Sequence, residues 1–329
     1  MNTPSMNILH ISDVHFKENE STATQSQITK ALVKAIENYE KPIHYCVFTG
    51  DLANHALTSE YKLAGEWLER VFLAMNNPDA KMIICPGNHD IDRSSANVLS
   101  ARGASTNKKL LDMFLSKEED SFCSLRTFLD WHEEFSNKNS WVISLWGKHV
   151  NLVTELHNDL NINFVMANSA LLSCDNDDVG NLCVDLDQLN TCLEKSRDNK
   201  GLNICMMHHP LDGGWLSKWN QERVDTLLKQ KASCHFLMSG HVHDAEGSNS
   251  ANNNGQALAS FKCGAAYTGG EWKNEFSILE VDIDGSKVTP KNFLYSESSD
   301  EWYVNTAQSQ YVMVDFSSVK LSESGKKKS

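Results

Sequence analysis

No stretch of this sequence approaches the ~18 consecutive apolar residues of a membrane-spanning helix. No C-x-x-C pair occurs either; the nine cysteines are scattered singly, and their number is odd. A disulfide framework is therefore not expected. Cys46, Cys85 and Cys205 lie inside apolar runs, which points to buried free thiols in a reducing compartment. Basic clusters are missing too. The net charge is −13, and the only dense basic run is Lys326-Lys327-Lys328. A chain that grips nucleic-acid backbone carries a basic patch, so an extended nucleic-acid partner is disfavoured. Bound divalent ions would offset part of the negative charge. The first lysine or arginine is Lys17, so the N-terminus lacks the charged region of a signal peptide. These absences predict a soluble, cytoplasmic protein with no membrane partner. There is no internal repeat and no Gly/Ser linker in the 329 residues, of which 40% are hydrophobic. One domain is the simplest account.

What the sequence does contain is one phrase, repeated five times: an apolar run of strand length, then small residues, then a metal-binding side chain. "MNILHISDVH" ends on Asp13 and His15, "IHYCVFTGD" on Asp51, and "AKMIICPGNHD" on Asn88, His89 and Asp90. "LNICMMHHP" ends on His208 and His209, and "HFLMSGHVH" on His241 and His243. Short, continuously apolar runs mark strands buried on both faces, as in parallel sheets. Segments of helical period lie between them: residues 25–39, 58–75 (opening on Thr58-Ser59 with Glu60 close behind), 185–195 and 221–231. Strands alternating with helices predict βαβ units. Ligands of open α/β sheets bind beyond the carboxyl ends of the strands, and all five polar endings fall there.

Two regions break the rhythm. Residues 95–140 carry apolar positions at helical spacing amid charge, including Leu110, Leu111, Phe114 and Leu115, then Phe122, Leu125, Phe128 and Leu129. They read as a helical insertion, either a cap over the cleft or a surface excursion. From about 256 to 296 the chain turns strand-like, and "EVDIDGSKV" predicts a hairpin with Asp284-Gly285 in its turn. The expected domain spans residues 1–300, followed by a polar, partly disordered extension over 301–329.

With Asp90 set aside, the five endings supply two aspartates, an asparagine and several histidines, with no cysteine. Oxygen and imidazole ligands suit Mn, Fe, Zn or Ni, and the missing thiolates argue against a zinc finger or an iron–sulfur cluster. Seven ligands are too many for one ion with an open position. They suit two ions sharing a carboxylate, an arrangement that clamps the attacking and leaving oxygens of a phosphoryl displacement. Asp51 stands alone on its strand end and is the natural bridge.

In that order, D-x-H, G-D, G-N-H-D, H-x-P and G-H-x-H resemble the motifs of the calcineurin-like metallophosphoesterases, over roughly residues 6 to 244. The resemblance implies an α/β fold, a β-sandwich of mixed sheets flanked by helices, with a dinuclear metal site at the strand ends. It implies that Asp13, His15 and His243 hold a first ion, with Asp51 bridging. Asn88, His208 and His241 would hold the second, with Mn or Fe/Mn favoured. His208 is preferred over His209 because the family ligand lies two residues before the proline, here Pro210. His209 is then the packed or hydrogen-bonded member of the pair and, with Asn88 and His89, a candidate substrate contact.

His89 resembles the family's non-ligand histidine, which binds a phosphate oxygen and protonates the leaving group. Asp90 either orients His89 or caps the following loop. In the protein-phosphatase branch an aspartate three places after the bridging one pairs with this histidine; here that place is Asn54, and the branch's arginine is missing from "GDLANHA". "GDLANHALTSEY" and "HHPLDGGWL" resemble instead the branch of cyclic-nucleotide and other small phosphodiester hydrolases. That implies in-line attack by a metal-bridging hydroxide on a small phosphodiester. A phosphomonoesterase, a nuclease and a partner-docking metal protein remain alternatives, the last through the helical insertion. Trp215 and Trp219 either stack on a substrate base or pack in the core.

Overall fold

In the computed structural model, which describes residues 5–18, 23–117, 122–144, 149–251, 257–267 and 273–320, alternate residues of each central strand face two different cores. Strand β1 (Met6–Ile11) puts Ile8 toward one and Leu9 and Ile11 toward the other; β2 (Tyr45–Phe48) divides Val47 from Cys46 and Phe48 in the same way. A strand covered on both faces has no polar face to show, which is why these runs read as unbroken apolar stretches.

The first sheet runs β12-β11-β10-β1-β2-β3, with β3 at Lys81–Ile84, β10 at Glu275–Asp282, β11 at Lys287–Ser296 and β12 at Glu301–Val304. Its β1, β2 and β3 are parallel and β10 is antiparallel to β1. The second sheet runs β4-β5-β6-β7-β9-β8: Val150–His157, Leu160–Ala167, Leu202–Met206, Phe236–Ser239, Ala257–Lys262 and Glu246–Ala251. Strands β5, β6, β7 and β9 are parallel, and the two edge strands are antiparallel to their neighbours. Between the sheets lies one core, with Ile8, Val47 and Ile83 from the first meeting Phe164, Ile204, Met206, Phe236 and Phe261 from the second.

Helices close both outer faces. Helix α1 (Ala23–Glu37) and α2 (Thr58–Ala74) bury Ile28, Leu32, Tyr61, Trp67 and Leu68 on the first sheet. Glu60 starts α2 as its position suggested: its carboxylate accepts from the backbone N–H groups of His55 (2.8 Å) and Leu57 (3.2 Å). On the second sheet, α6 (Leu186–Asp198) and α7 (Lys218–Leu228) bury Leu189, Leu193, Val224 and Leu228. Asp185 caps α6 by accepting from Asp187 and Gln188 N–H. The result is the expected β-sandwich of two mixed sheets flanked by helices.

The insertion divides between the two outer layers. Helices α3 (Val98–Ala104) and α4 (Lys108–Leu115) pack Ala101, Ala104 and Leu111 against the second sheet's helices, while α5 (Arg126–Lys138) stacks Trp131 on Tyr61 at 5.0 Å. It therefore bridges both helix layers rather than leaving the body as an excursion. The predicted hairpin pairs Asp282 with Lys287, and Asp282 accepts from the Gly285 N–H at 2.8 Å, so four residues turn the chain. Beyond position 300 the first sheet continues: β12 and β13 (Val312–Met313) both pair with β11, and Trp302 is buried against Phe276 and Tyr295. The tail from 321 onward, including Lys326–Lys328, lies outside the described residues. All nine cysteines are free; seven are buried, but Cys123 is exposed and Cys192 half-buried.

Three buried histidines tie this core to pH. Burial pulls the imidazoles of His132, His149 and His235 down to about 4, from an ordinary 6.5. The unfolded chain binds protons that the folded chain refuses, so this share of stability is complete above pH 6.5 and drains away as pH falls toward about 4. At roughly 1.4 kcal/mol per proton per pH unit, three groups give a slope of up to about 4 kcal/mol per unit. Denaturant midpoints should fall steeply between pH 6.5 and 4.5. A flat profile there would show that these rings are protonated in the fold.

Candidate metal centre

Five strands end at one edge of the sandwich: β1, β2 and β3 from the first sheet, β6 and β7 from the second. The site thus lies across the seam between the sheets. Just past those strands the chain adopts left-handed backbone at Asp13 (φ 55°), His15 (51°), Asp51 (58°), His241 (70°) and His243 (55°). Such conformations are uncommon for residues with a Cβ and persist only where the surroundings impose them. Here a lattice of main-chain bonds does so. Asp13 N–H donates to Gly50 O (3.0 Å), His15 N–H to Asp51 O (3.1 Å) and Tyr267 N–H to Asp13 O (3.1 Å). A parallel bridge between Phe16 and Ala53 holds the first two loops side by side.

Both carboxylates are divided between two tasks. One oxygen of Asp51 accepts the His89 N–H at 2.8 Å, while the other lies 3.3 Å from His208 Nε2 and 3.8 Å from His15 Nε2. One oxygen of Asp13 accepts the His241 N–H at 3.0 Å, and the other, 3.3 Å from His243 Nε2 and 3.7 Å from His15 Nε2, accepts no hydrogen bond although buried. Each motif's backbone thereby fixes the carboxylate of another. Burial opposes the charge on both groups, yet the His15 and His243 rings hold Asp13, and the His208 and His89 rings hold Asp51, well below the usual carboxylate range.

The chemistry of His208 tests whether a cation fits. Its Nδ1–H donates to Thr49 O at 2.7 Å, so in the neutral ring Nε2 carries a lone pair. That nitrogen faces Asn88 Oδ1 (3.0 Å), His241 Nδ1 (3.1 Å) and Asp51 Oδ2 (3.3 Å). One proton on Nε2 could satisfy a single one of these acceptors; a cation satisfies all of them. Burial disfavours charge on His208, but the Asp51 carboxylate outweighs it and draws a proton onto the ring up to about pH 9. A metal ion competes for the same position. Ligating atoms of Asp13, His15 and His243 lie within 4.8 Å of one another, as do those of Asp13, Asp51 and His208. The residues present therefore fit two ions, with Asp51 between them. All seven residues expected as ligands meet here.

His89 also lies in the cleft, its ring 4.7 Å from that of His15. Its Nδ1–H donates to the backbone oxygen of Asn54 at 2.9 Å, leaving Nε2 for a substrate. Burial keeps the ring's proton affinity below the ordinary value. Asp90 does not orient His89. Its carboxylate accepts from four donors: Gly87 N–H (2.9 Å), Leu52 N–H (3.2 Å), Ala53 N–H (3.0 Å) and Tyr61 O–H (3.1 Å). It binds the Asp51 loop to the Asn88 loop, so its role is to position ligands. Residue types could not disclose the partner of His89, because it is a main-chain carbonyl.

The two tryptophans separate. Trp219, in α7, packs in the core and donates to Ser105 O at 2.7 Å. Trp215 precedes the helix, after a turn closed by Gly214 at φ 70°, and stands edge-on to His241 with ring centroids 4.1 Å apart. The two do not share a helix face. His209 is buried and bonded to Ser169, a residue with no signal of its own in the sequence.

Residues 6–245 match the calcineurin-like phosphoesterase family. Over 309 residues the chain is 25% identical to an uncharacterized metallophosphoesterase-like protein, YydB, of Bacillus subtilis (strain 168), covering 90% of this chain and 61% of that protein. The chain thus spans under two thirds of that relative's length. Among solved structures, a dimetal phosphatase from Danio rerio aligns with a TM-score of 0.51 at 13% identity, covering 88% of this chain and 96% of that one. A purple acid phosphatase from yellow lupin (Lupinus luteus) aligns with a TM-score of 0.55 at 14% identity, over 96% of this chain and 55% of that one. At these identities the structural likeness speaks to fold. With five motifs converging on one cleft and a match across most of its length, the chain belongs to the calcineurin-like phosphoesterase family.

Proposed function

We propose that this chain is a metal-dependent phosphoester hydrolase whose substrate is a small phosphodiester, such as a cyclic nucleotide. The observation that carries the reading is the convergence on His208 Nε2 of an amide oxygen, a second imidazole and a carboxylate, beside a histidine whose ring makes no hydrogen bond to any of them. Two bound divalent ions would supply Lewis acidity toward the phosphoryl oxygens and an activated water. Asp13, His15, His243 and Asp51 would hold one ion; Asn88, His208, His241 and Asp51 the other.

The chain's own groups do the rest. His89 presents Nε2 to the phosphoryl group, donating a hydrogen bond to its oxygen when protonated and passing that proton to the leaving alkoxide. Such acid help is worth typically about 10²–10⁴-fold. The ring partner of His89 is an uncharged carbonyl, and burial outweighs the Asp51 carboxylate, so the ring's basicity stays low. That suits a monoanionic diester, which asks less of a cationic histidine than a dianionic monoester does. The chain's charge of −13 disfavours extended nucleic acid as the substrate.

Hydrolysis of bis(p-nitrophenyl) phosphate and p-nitrophenyl phosphate with Mn²⁺ tests the reading. The diester should turn over well above the monoester, and Asn88→Ala should lower diester turnover by at least about 100-fold. A monoester preference would replace this substrate class with phosphomonoesters. Metal binding without turnover of either compound would favour a partner-docking role.

A further inference from the structure

His209 is wholly buried, and only one of its ring nitrogens has a partner. Its backbone N–H donates to Ser169 Oγ at 3.0 Å, and its Nδ1 lies 3.0 Å from the same oxygen. Nε2 is sealed from solvent with no hydrogen bond. A histidine buried only for packing would leave that nitrogen unsatisfied at a cost of about 1–3 kcal/mol. The surroundings explain it better. The His209 ring lies 4.8 Å from that of His208 and 4.5 Å from that of His241, and ligating nitrogens of all three lie within 4.8 Å of one another. Trp215 lies against the cluster, 4.1 Å from His241 and 5.8 Å from His209.

We propose that His209 is a third imidazole ligand of the second ion, joining Asn88, His208, His241 and the shared Asp51. The inference rests on the dinuclear reading above and adds a residue to it. Ser169 Oγ accepts a hydrogen bond from Nδ1–H and so leaves the Nε2 lone pair for the metal, the usual service of an outer hydrogen-bond partner to a ligating histidine. Ser169 is fully buried at the end of β5, so it can hold the ring in one orientation.

The two ions then sit in unlike surroundings. The first has a carboxylate of its own, Asp13, with two imidazoles. The second has three imidazoles and an amide, and only a share of Asp51. Imidazole ligands suit Zn, Ni or Fe, whereas carboxylates suit Mn.

The test is calorimetric titration of metal-free protein with Co²⁺, with the visible Co²⁺ spectrum recorded alongside. Wild type should bind two ions, and Asn88→Ala identifies which step is the second site. In His209→Gln that step should weaken by at least about tenfold, with the first step unchanged. Ser169→Ala should weaken it less, and since the imidazole itself is retained it reports even where His209→Gln fails to fold. Wild-type constants at both steps in both variants would make His209 a packing residue and overturn the inference. Fewer than two ions in the wild type would overturn the dinuclear reading, and the inference with it.

Discussion

Gly50→Ala is expected to remove the second ion and lower phosphoester hydrolysis by more than about 10³-fold, although the change adds only one methyl group. Gly50 has φ 102°, a conformation that side chains resist at a cost of about 1–3 kcal/mol. Its α-carbon also has no room. A Cβ built there would stand 2.5 Å from His208 Nδ1 and 2.8 Å from the Gly87 backbone. Relief requires His208 to retreat and its bond to Thr49 O to break, or the Asp51 and Asn88 loops to part. Overpacking of this kind adds about 1–3 kcal/mol, so stability should drop by about 2–6 kcal/mol. The guanidinium midpoint measures that loss, and metal content after dialysis measures the lost ion. A folded Gly50→Ala protein with two ions and normal turnover would show that the close packing of the three loops is not what sets the site.

Gly50 also marks the boundary of what the residues disclose. The five strand endings were legible because two constraints coincide in them: strands covered on both faces must be continuously apolar, and a ligand must follow each at once. The seven expected ligands meet in the structure for that reason. The helix starts at Glu60 and Asp185 were legible because a cap is a local bond between near neighbours. Bonds between distant main chains were not. Thr49 O on His208 and Asn54 O on His89 are carbonyls, and any residue at those positions offers the same oxygen. Ser169 sits 40 positions from the histidine it holds. The left-handed backbone of Asp13, His15, Asp51, His241 and His243 was equally silent, since it comes from cross-loop bonding rather than from residue type. The sheet's continuation past 300 was missed because polar and charged residues surround the short β12 and β13, and only their pairing with β11 makes them strands.

His89 and Asp90, neighbours in one motif, should fail in opposite ways. His89→Asn is expected to lower kcat/KM for a diester by about 10²–10⁴-fold while both ions and the fold remain, because its ring hydrogen-bonds only the Asn54 carbonyl and otherwise meets the edge of His15 and the cleft. Asp90→Asn keeps the shape and loses the function of the carboxylate. All four of its partners donate: the N–H groups of Gly87, Leu52 and Ala53, and the Tyr61 hydroxyl. An amide turns two of its own protons toward two of these donors, whichever way it is flipped. Tyr61 can rotate its hydroxyl away; a backbone N–H cannot. With the amide NH2 toward Ala53 and Tyr61, one backbone donor is stranded, so Asp90→Asn should cost roughly 1–3 kcal/mol and loosen the Asp51 and Asn88 loops together. Burial, with the charge of Asp51, pushes the Asp90 carboxyl up to about 6, so near neutral pH the wild-type group is mainly ionised and suited to its four donors. The pair is separated by three measurements: denaturant midpoint, ions per chain, and kcat/KM at saturating metal. Asp90→Asn should move the first two and recover part of the third as metal is raised; His89→Asn should move the third alone, at any metal concentration. Were Asp90→Asn to reproduce the His89→Asn pattern, with stability intact, the carboxylate would be acting through the His89 ring and not through the loops.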